Sequence, residues 1–424
     1  MTERRPLLLA ILLFTMTASS FQIFAIAVLA VDLITDLDLS RTALGLLGSL
    51  NTMVGALSAP STGRLTDRIG PRRSAILVLA ISAVGMALTA VSRDWLILAL
   101  AAVVSGIPQG WGNPATNALI AERVPADGQG TVTGVKQSGV QFGIFLSGLT
   151  LPGLAVVIGW RGALWGYAVA FLLGAFAVAR WLGPAPAEER SDVPEAERPK
   201  PAAPTGASTP AATAAATTST VAAEQSIPPF IWLMSVYAFL YGSAGGAIGR
   251  FLPLWANEEI GMSVVAAGAV VAVGGLLGIA ARIWIGGLPQ TRSAPASLLS
   301  MLAIVGAVYC LILLLTETVG SWILWPASIL SATGIGAWNA VAMLAVIVTV
   351  PRAAAGRASG IVMLGFLGGL SVGSPVAGLV VDRWGTYQPV WAATLVLSVL
   401  SALVIRPELL RRRDGAVQDD PAVT

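Results

Sequence analysis

Two basic residues lie within long apolar runs, where a charge needs water or a partner. Lys136 sits in Gly134-Val135-Lys136-Gln137-Ser138-Gly139, about two turns from the polar end of its run, and shares a helical face with Gly139, Val140, Gly143 and Ser147. Arg250 closes Ser243-Ala244-Gly245-Gly246-Ala247-Ile248-Gly249, a stretch whose glycines can bend a helix and aim a guanidinium inward. A cation facing a wet cavity attracts anions, so Lys136 and Arg250 are candidate ligands for an anionic small molecule. Asp32 is the one carboxylate that falls inside a helical run, beside Asp36, Asp38 and Arg41, and is the candidate carrier of a coupling proton.

Uncharged polar residues recur at helical spacing on several runs. Thr15, Ser19 and Gln22 share one face, Asn51, Ser58 and Thr62 another, and Gln109, Asn113, Thr116 and Asn117 a third. The later part of the chain adds Tyr237, Tyr241, Asn339, Ser371 and Ser374. From these, Gln22, Asn51, Gln109, Asn113, Asn117, Tyr237, Tyr241 and Asn339 join Lys136 and Arg250 as candidate substrate-binding residues.

Catalytic chemistry is poorly provided for. There is no histidine and Cys310 is the only cysteine, so one chain can build no zinc or iron–sulfur site, Cys/His dyad or disulfide. An intramembrane enzyme would need a Ser/His pair, paired deep carboxylates or a histidine-based metal site, and none can be assembled. No enzyme activity and no cofactor are expected. The net charge of +3 gives no nucleic-acid signal.

The elements that must position these residues are membrane spans. The chain has 424 residues, 55% hydrophobic and 11% charged, whereas soluble domains carry about 25% charge. Apolar runs predict spans over 7–31, 42–62, 74–92, 95–120, 131–155 and 160–181, then 229–256, 264–287, 295–316, 321–348, 359–381 and 389–405. The expected organisation is an all-α membrane protein of twelve transmembrane helices. A six-helix bundle (1–182) and a second one (229–406) are joined by a polar Ala/Thr/Pro linker (183–228) and followed by a tail (407–424). With both termini cytoplasmic, the inner side holds 20 of the 25 basic residues and the outer side keeps Arg41, Arg93, Arg161, Arg250 and Arg383.

The two halves echo one another. An offset of 226 lays Asn113 on Asn339, Pro125 on Pro351, Gly130 on Gly356, Gly134 on Gly360, Gly139 on Gly365 and Gly143 on Gly369. Parallel six-helix repeats place a substrate site between the halves near the midplane.

Between the second and third spans stands Gly63-Arg64-Leu65-Thr66-Asp67-Arg68-Ile69-Gly70-Pro71-Arg72-Arg73. It resembles the signature loop of the major facilitator superfamily, G-x-L-x-D-R-x-G-R-R, with Pro71 interrupting the last basic run. The resemblance implies two six-helix bundles rocking about a central cavity. It also implies a conformational latch of Gly63, Asp67, Arg68, Gly70, Arg72 and Arg73, in which Asp67 meets the start of the eleventh helix at Gly356–Gly360 and Arg123 at the end of the fourth. The second-half counterpart, around Arg282, has no matching acid. The fifth-helix stretch around Lys136 is similar to cyanate and other organic-anion permeases of that superfamily. The fourth helix lacks the arginine of R-x-x-Q-G, reading Gly106-Ile107-Pro108-Gln109-Gly110, and the fifth lacks the proline pattern of proton-driven drug exporters.

The expectation is a monomeric transporter of a small organic anion in a bacterial-type inner membrane, working by alternating access with or without a coupling ion. Export of lipophilic compounds, or a receptor or scaffold that does not transport, are the alternatives.

Overall fold

The computed structural model describes residues 5–125, 128–183, 227–286, 294–350 and 352–405. The interior of the expected linker, the tail 407–424 and the side chain of Arg282 lie outside them. Every regular element among the described residues is a helix, as a chain in lipid requires if each backbone N–H and C=O is to be satisfied within its own segment. In order these are α1 (Arg5–Val28), α2 (Ala30–Leu37), α3 (Arg41–Ile69), α4 (Pro71–Val91), α5 (Trp95–Arg123), α6 (Gln129–Trp181), α7 (Pro229–Glu258), α8 (Val264–Gly286), α9 (Ala294–Val319), α10 (Leu324–Thr333), α11 (Trp338–Thr349), α12 (Arg352–Trp384) and α13 (Gln388–Val404).

Nine of these, among the described residues, are long and apolar enough to cross a membrane. The twelve spans follow from three details. α6 is two spans joined at Gly159, whose φ of 74° turns the chain where an L side chain would be strained. α10 and α11 together make one interrupted span, and α13 is a shorter apolar helix.

Three expected boundaries are corrected. The run 321–348 is not one helix: a 3-10 turn at Ser321–Ile323 leads into α10, and the chain leaves the helix between Thr333 and Trp338, at Gly334-Ile335-Gly336-Ala337. The first span ends at Val28, and α2 follows as a separate short helix beyond the break at Leu29. The second runs to Ile69, so Gly63 lies inside a helix and the tight turn falls to Gly70 alone, at φ 84°.

The internal repeat has a packing reason. A Cβ on Gly139 would lie 2.6 Å from the Leu13 carbonyl oxygen of α1, and one on Gly365 would collide with the Ser235 carbonyl of α7. Thr17 Oγ1 donates to the Gly139 carbonyl at 2.9 Å, and Ser235 Oγ donates to the Ile361 carbonyl at 2.9 Å. The repeated glycines therefore let α6 press on α1 and α12 press on α7, the close backbone approach that small residues give helices in lipid. The two bundles then meet along α3 against α12 and α6 against α8.

Candidate functional site

Between the bundles lies a cavity of about 380 Å³, within the range that holds a small ligand. α1, α3, α5 and α6 form one wall; α7, α8, α9, α10, α12 and the α10–α11 break with the start of α11 form the other. Much of the lining is apolar, including Phe24, Val140 and the Trp338–Phe366 pair, whose rings stand 4.2 Å apart. Gln109, Asn113, Gln137, Gln141 and Asn339 supply polar groups. Among the described residues, Arg250 is the one charged residue that lines it.

Arg250 is 3% exposed. Its Nη1 donates to the Ile23 carbonyl of α1 at 3.2 Å, and its Nη2 lies where a Cβ on Gly48 of α3 would stand, so only glycine there admits the guanidinium. Its Nε is buried with no partner among the described residues. A residue of the second bundle thus reaches across the cavity to two helices of the first, and no ion pair neutralises it among the described residues.

Lys136 is fully buried but does not line the cavity. Its Nζ donates to Asn113 Oδ1 at 2.9 Å and to Asn117 Oδ1 at 2.5 Å, acceptors one turn apart on α5. Gln137 Nε2 also donates to Asn113 Oδ1, at 3.3 Å. Asn113 is on the wall and Asn117 is not.

The remaining candidates divide in the same way. Gln109 and Asn339 line the cavity, and Gln109 Oε1 is buried without a partner among the described residues. Gln22 and Asn51 do not line it: Asn51 Nδ2 donates to Gln22 Oε1 at 3.1 Å and to the Ala102 carbonyl at 3.2 Å, and Gln22 Nε2 donates to Thr89 Oγ1 at 2.9 Å. They cross-link α1, α3, α4 and α5. Tyr237 and Tyr241 also lie off the wall, each hydroxyl donating at 3.0 Å to a carbonyl of α9, Leu299 and Leu302 respectively. Gly48, Gln137, Gln141 and the unwound segment at Gly336 escaped the sequence reading. Gln137 and Gln141, four residues apart on α6, carried the helical-face signal that could have found them.

Asp32 sits in α2, half-buried and away from the cavity lining. Burial, and then the nearby charge of Asp36, raise its pKa above the usual carboxylate range. Asp36 moves the other way, held down by hydrogen bonds from Trp160 Nε1 at 2.8 Å and Arg161 Nη1 at 2.7 Å.

At the end of the bundle where α3 begins, the two halves are tied together. Asp382, in the last turn of α12, accepts from the Arg41 backbone N at 3.0 Å, the Thr42 backbone N at 2.7 Å and Thr42 Oγ1 at 2.6 Å. This acid of one half caps the first turn of a helix in the other, where the orphan N–H groups and the helix dipole favour an anion. Arg41 Nη2 pairs with Glu258 of α7 at 2.7 Å, and Tyr387 donates to Glu258 at 2.6 Å. Below them a Cβ on Gly45 would lie 2.5 Å from the Ser374 carbonyl oxygen, and one on Gly148 of α6 2.5 Å from that of Gly268 on α8.

At the opposite end no comparable tie between the halves is present among the described residues. Asp67 is exposed and makes no hydrogen bond or ion pair among the described residues. Arg123, its expected partner, instead pairs with Glu122 at 3.1 Å and donates to the Gly183 carbonyl at 2.6 Å. Arg72 donates to the Ala179 carbonyl, tying the turn to the end of α6, while Arg68 and Arg73 are exposed. Cβ atoms on Gly63, Gly134, Gly356 and Gly360 would meet nothing within 4 Å. Among the described residues Asp67 therefore makes no contact of the expected kind with the start of α12.

Two six-helix bundles around a central cavity, tied together at the end where α3 begins, define a membrane transporter. Residues 9–370 match the family model of the Major Facilitator Superfamily, and the chain belongs to that family of transporters, which are not enzymes. The fold is shared with a bacterial homolog of the human lysosomal transporter Spinster, solved in an inward-facing and unoccupied conformation (TM-score 0.70, 16% identity, 96% of this chain and 97% of that one). It is shared too with a mutant form of the nucleoside transporter NupG (TM-score 0.71, 13% identity, 94% of this chain and 97% of that one). A glucose transporter GlcP of Staphylococcus epidermidis (strain ATCC 12228 / FDA PCI 1200) is 26% identical over 130 residues, 30% of this chain and 29% of GlcP. The protein is thus a multi-pass transporter that sits in a lipid bilayer and takes a small-molecule substrate.

Proposed function

We propose that the protein carries a small organic anion across a bacterial-type inner membrane by alternating access, with Arg250 as the substrate's charge partner. The carrying observation is the buried guanidinium, which has no ion-pair partner among the described residues and sits on a cavity wall whose described residues include no Asp or Glu. Burying an ion costs several kcal/mol unless something compensates, and one carbonyl contact offsets little of that. A substrate carboxylate would complete the fork geometry of the guanidinium. Gln109, Asn113 and Asn339 supply the uncharged contacts, and the Trp338–Phe366 wall takes the apolar body.

In this reading the protein works as a monomer, with its termini and the Asp67 end cytoplasmic, as the distribution of Lys and Arg supports. The state described here then opens inward. Outward opening breaks the Asp382 cap and lets Asp67 engage the start of α12. The anion supplies its own charge, and Asp32, away from the cavity, is left as the candidate for a coupled proton.

Purified protein screened by thermal shift against lactate, hexanoate, benzoate, salicylate and succinate tests this, because a ligand of the native state raises its apparent stability. At least one should bind, and Arg250→Gln should weaken it by about 10- to 100-fold, the worth of one charge-assisted contact. If none of the five binds, or if Arg250→Gln binds as tightly as the parent, the anion reading fails.

A further inference from the structure

We propose that Lys136 is a positioning residue: it makes no contact with substrate, and by holding Asn113 Oδ1 it fixes that amide so that the NH2 group projects into the cavity as a donor to an oxygen of the bound anion. The inference deepens the anion reading and rests on it.

Lys136 contributes nothing to the cavity wall and its side chain is fully buried, so substrate in the cavity does not reach it in this state. An ammonium carries donors only, and therefore only the oxygen of each asparagine amide can face it. With Oδ1 of Asn113 engaged at 2.9 Å by Nζ and at 3.3 Å by Gln137 Nε2, turning the amide over would set donors against donors and strip a buried ammonium of an acceptor. The Asn113 NH2 is left as the free end. It has no partner among the described residues, and Asn113 is an exposed residue on the cavity wall. Asn117, off the wall, supplies the second acceptor, at 2.5 Å. The buried charge is therefore spent on orientation: it turns an amide that could offer either an acceptor or a donor into a fixed donor. Together with Arg250, that gives the cavity two donors on opposite bundles, suited to an anion that carries a second acceptor oxygen.

The test is a double-mutant cycle on the tightest binder among the five acids, read by binding affinity, with the thermal unfolding of each ligand-free variant as the check on folding. Lys136→Met should weaken binding by about 3- to 10-fold in the parent, the worth of one ordinary hydrogen bond made less available. In an Asn113→Ala background the same change should alter affinity by less than about 2-fold, since its target is gone. Equal losses in both backgrounds would make Lys136 a direct ligand, and no loss in either would make it a purely structural cation; each overturns the proposal. Asn113→Asp keeps an acceptor for Lys136, and so the fold, but replaces the donor with a negative oxygen. It should cost at least about 10-fold in affinity with thermal stability retained, and undiminished binding there would also overturn the proposal. Failure of all five acids to bind the parent would instead remove the anion reading, and this inference with it.

Discussion

α3 and α12 end alike. Asp67-Arg68-Ile69-Gly70 closes α3 and Asp382-Arg383-Trp384-Gly385 closes α12, each with its glycine at positive φ, 84° and 70°. The two helices pack against each other, so each one's terminal aspartate lies toward the end where the other begins. Only one of the two is engaged. Asp382 caps α3 with three hydrogen bonds, while Asp67 has no partner among the described residues and the glycines around it meet nothing. A shared D-R-x-G pattern with opposite occupancy shows that the motif does not by itself fix a state. Which cap forms depends on how close the half-bundles are at that end.

The largest effect should come from breaking the cap that exists. Asp382→Ala removes two backbone contacts and one hydroxyl contact to a carboxylate; from the cost of losing a helix cap and charge-assisted bonds this amounts to about 2–3 kcal/mol, or roughly 30- to 150-fold in the equilibrium between the two openings. Spin labels at the exposed positions Thr35 and Trp384, in a Cys310→Ala background, should report longer distances across the Arg41 end. An unchanged distance distribution would mean that the apolar contact at Gly45 and Ser374 holds that end without the cap.

Asp67→Asn should do the reverse and do less to the state described here, because Asp67 has no hydrogen bond or ion pair in it among the described residues. Distances across the Arg41 end should stay as in the parent, and the ligand-free protein should unfold at the same temperature. Transport should slow by about 5- to 30-fold if the opposite opening loses a helix-end interaction of roughly 1–2 kcal/mol. Combining Asp67→Asn with Asp382→Ala should bring the balance back toward that of the parent. Unimpaired transport by Asp67→Asn would leave the α3 motif as an exposed turn with no part in switching.

This asymmetry explains what the sequence could reveal. The spans were legible because lipid demands long apolar helices, and the repeat because the glycines at 139 and 365 serve one packing need at equivalent places. Arg250 was legible as a charge inside an apolar run. The break at Gly334–Ala337 was hidden inside a continuous apolar stretch, where hydropathy cannot distinguish one helix from two. Gln22, Asn51, Tyr237 and Tyr241 were polar on the right faces, yet a buried amide or hydroxyl satisfies itself equally well on a neighbouring helix, and spacing alone does not say which. The Asp382 cap was missed although its D-R-x-G repeats that of Asp67, because the contact it makes joins residues 340 positions apart.

The smallest effect should come from an acid at the same end that joins nothing across the halves. Asp36 bonds Trp160 and Arg161, both of its own bundle, and Arg161 lies over the Trp160 ring at 4.1 Å. Its carboxyl is held below the ordinary value, so the stabilisation it gives is present above the unfolded pKa of about 4 and is lost as pH falls through the lower folded value. The pair is solvent-exposed, with side chains 42% and 46% accessible, and such pairs contribute at most about 1 kcal/mol. Asp36→Asn should therefore lower the thermal unfolding temperature only slightly at pH 7, and that difference should shrink as pH falls below about 4. The distances between Thr35 and Trp384 should not change. If Asp36→Asn opens the Arg41 end as Asp382→Ala does, the closure there depends on the overall acidity of that end, and the cross-bundle cap loses its special standing.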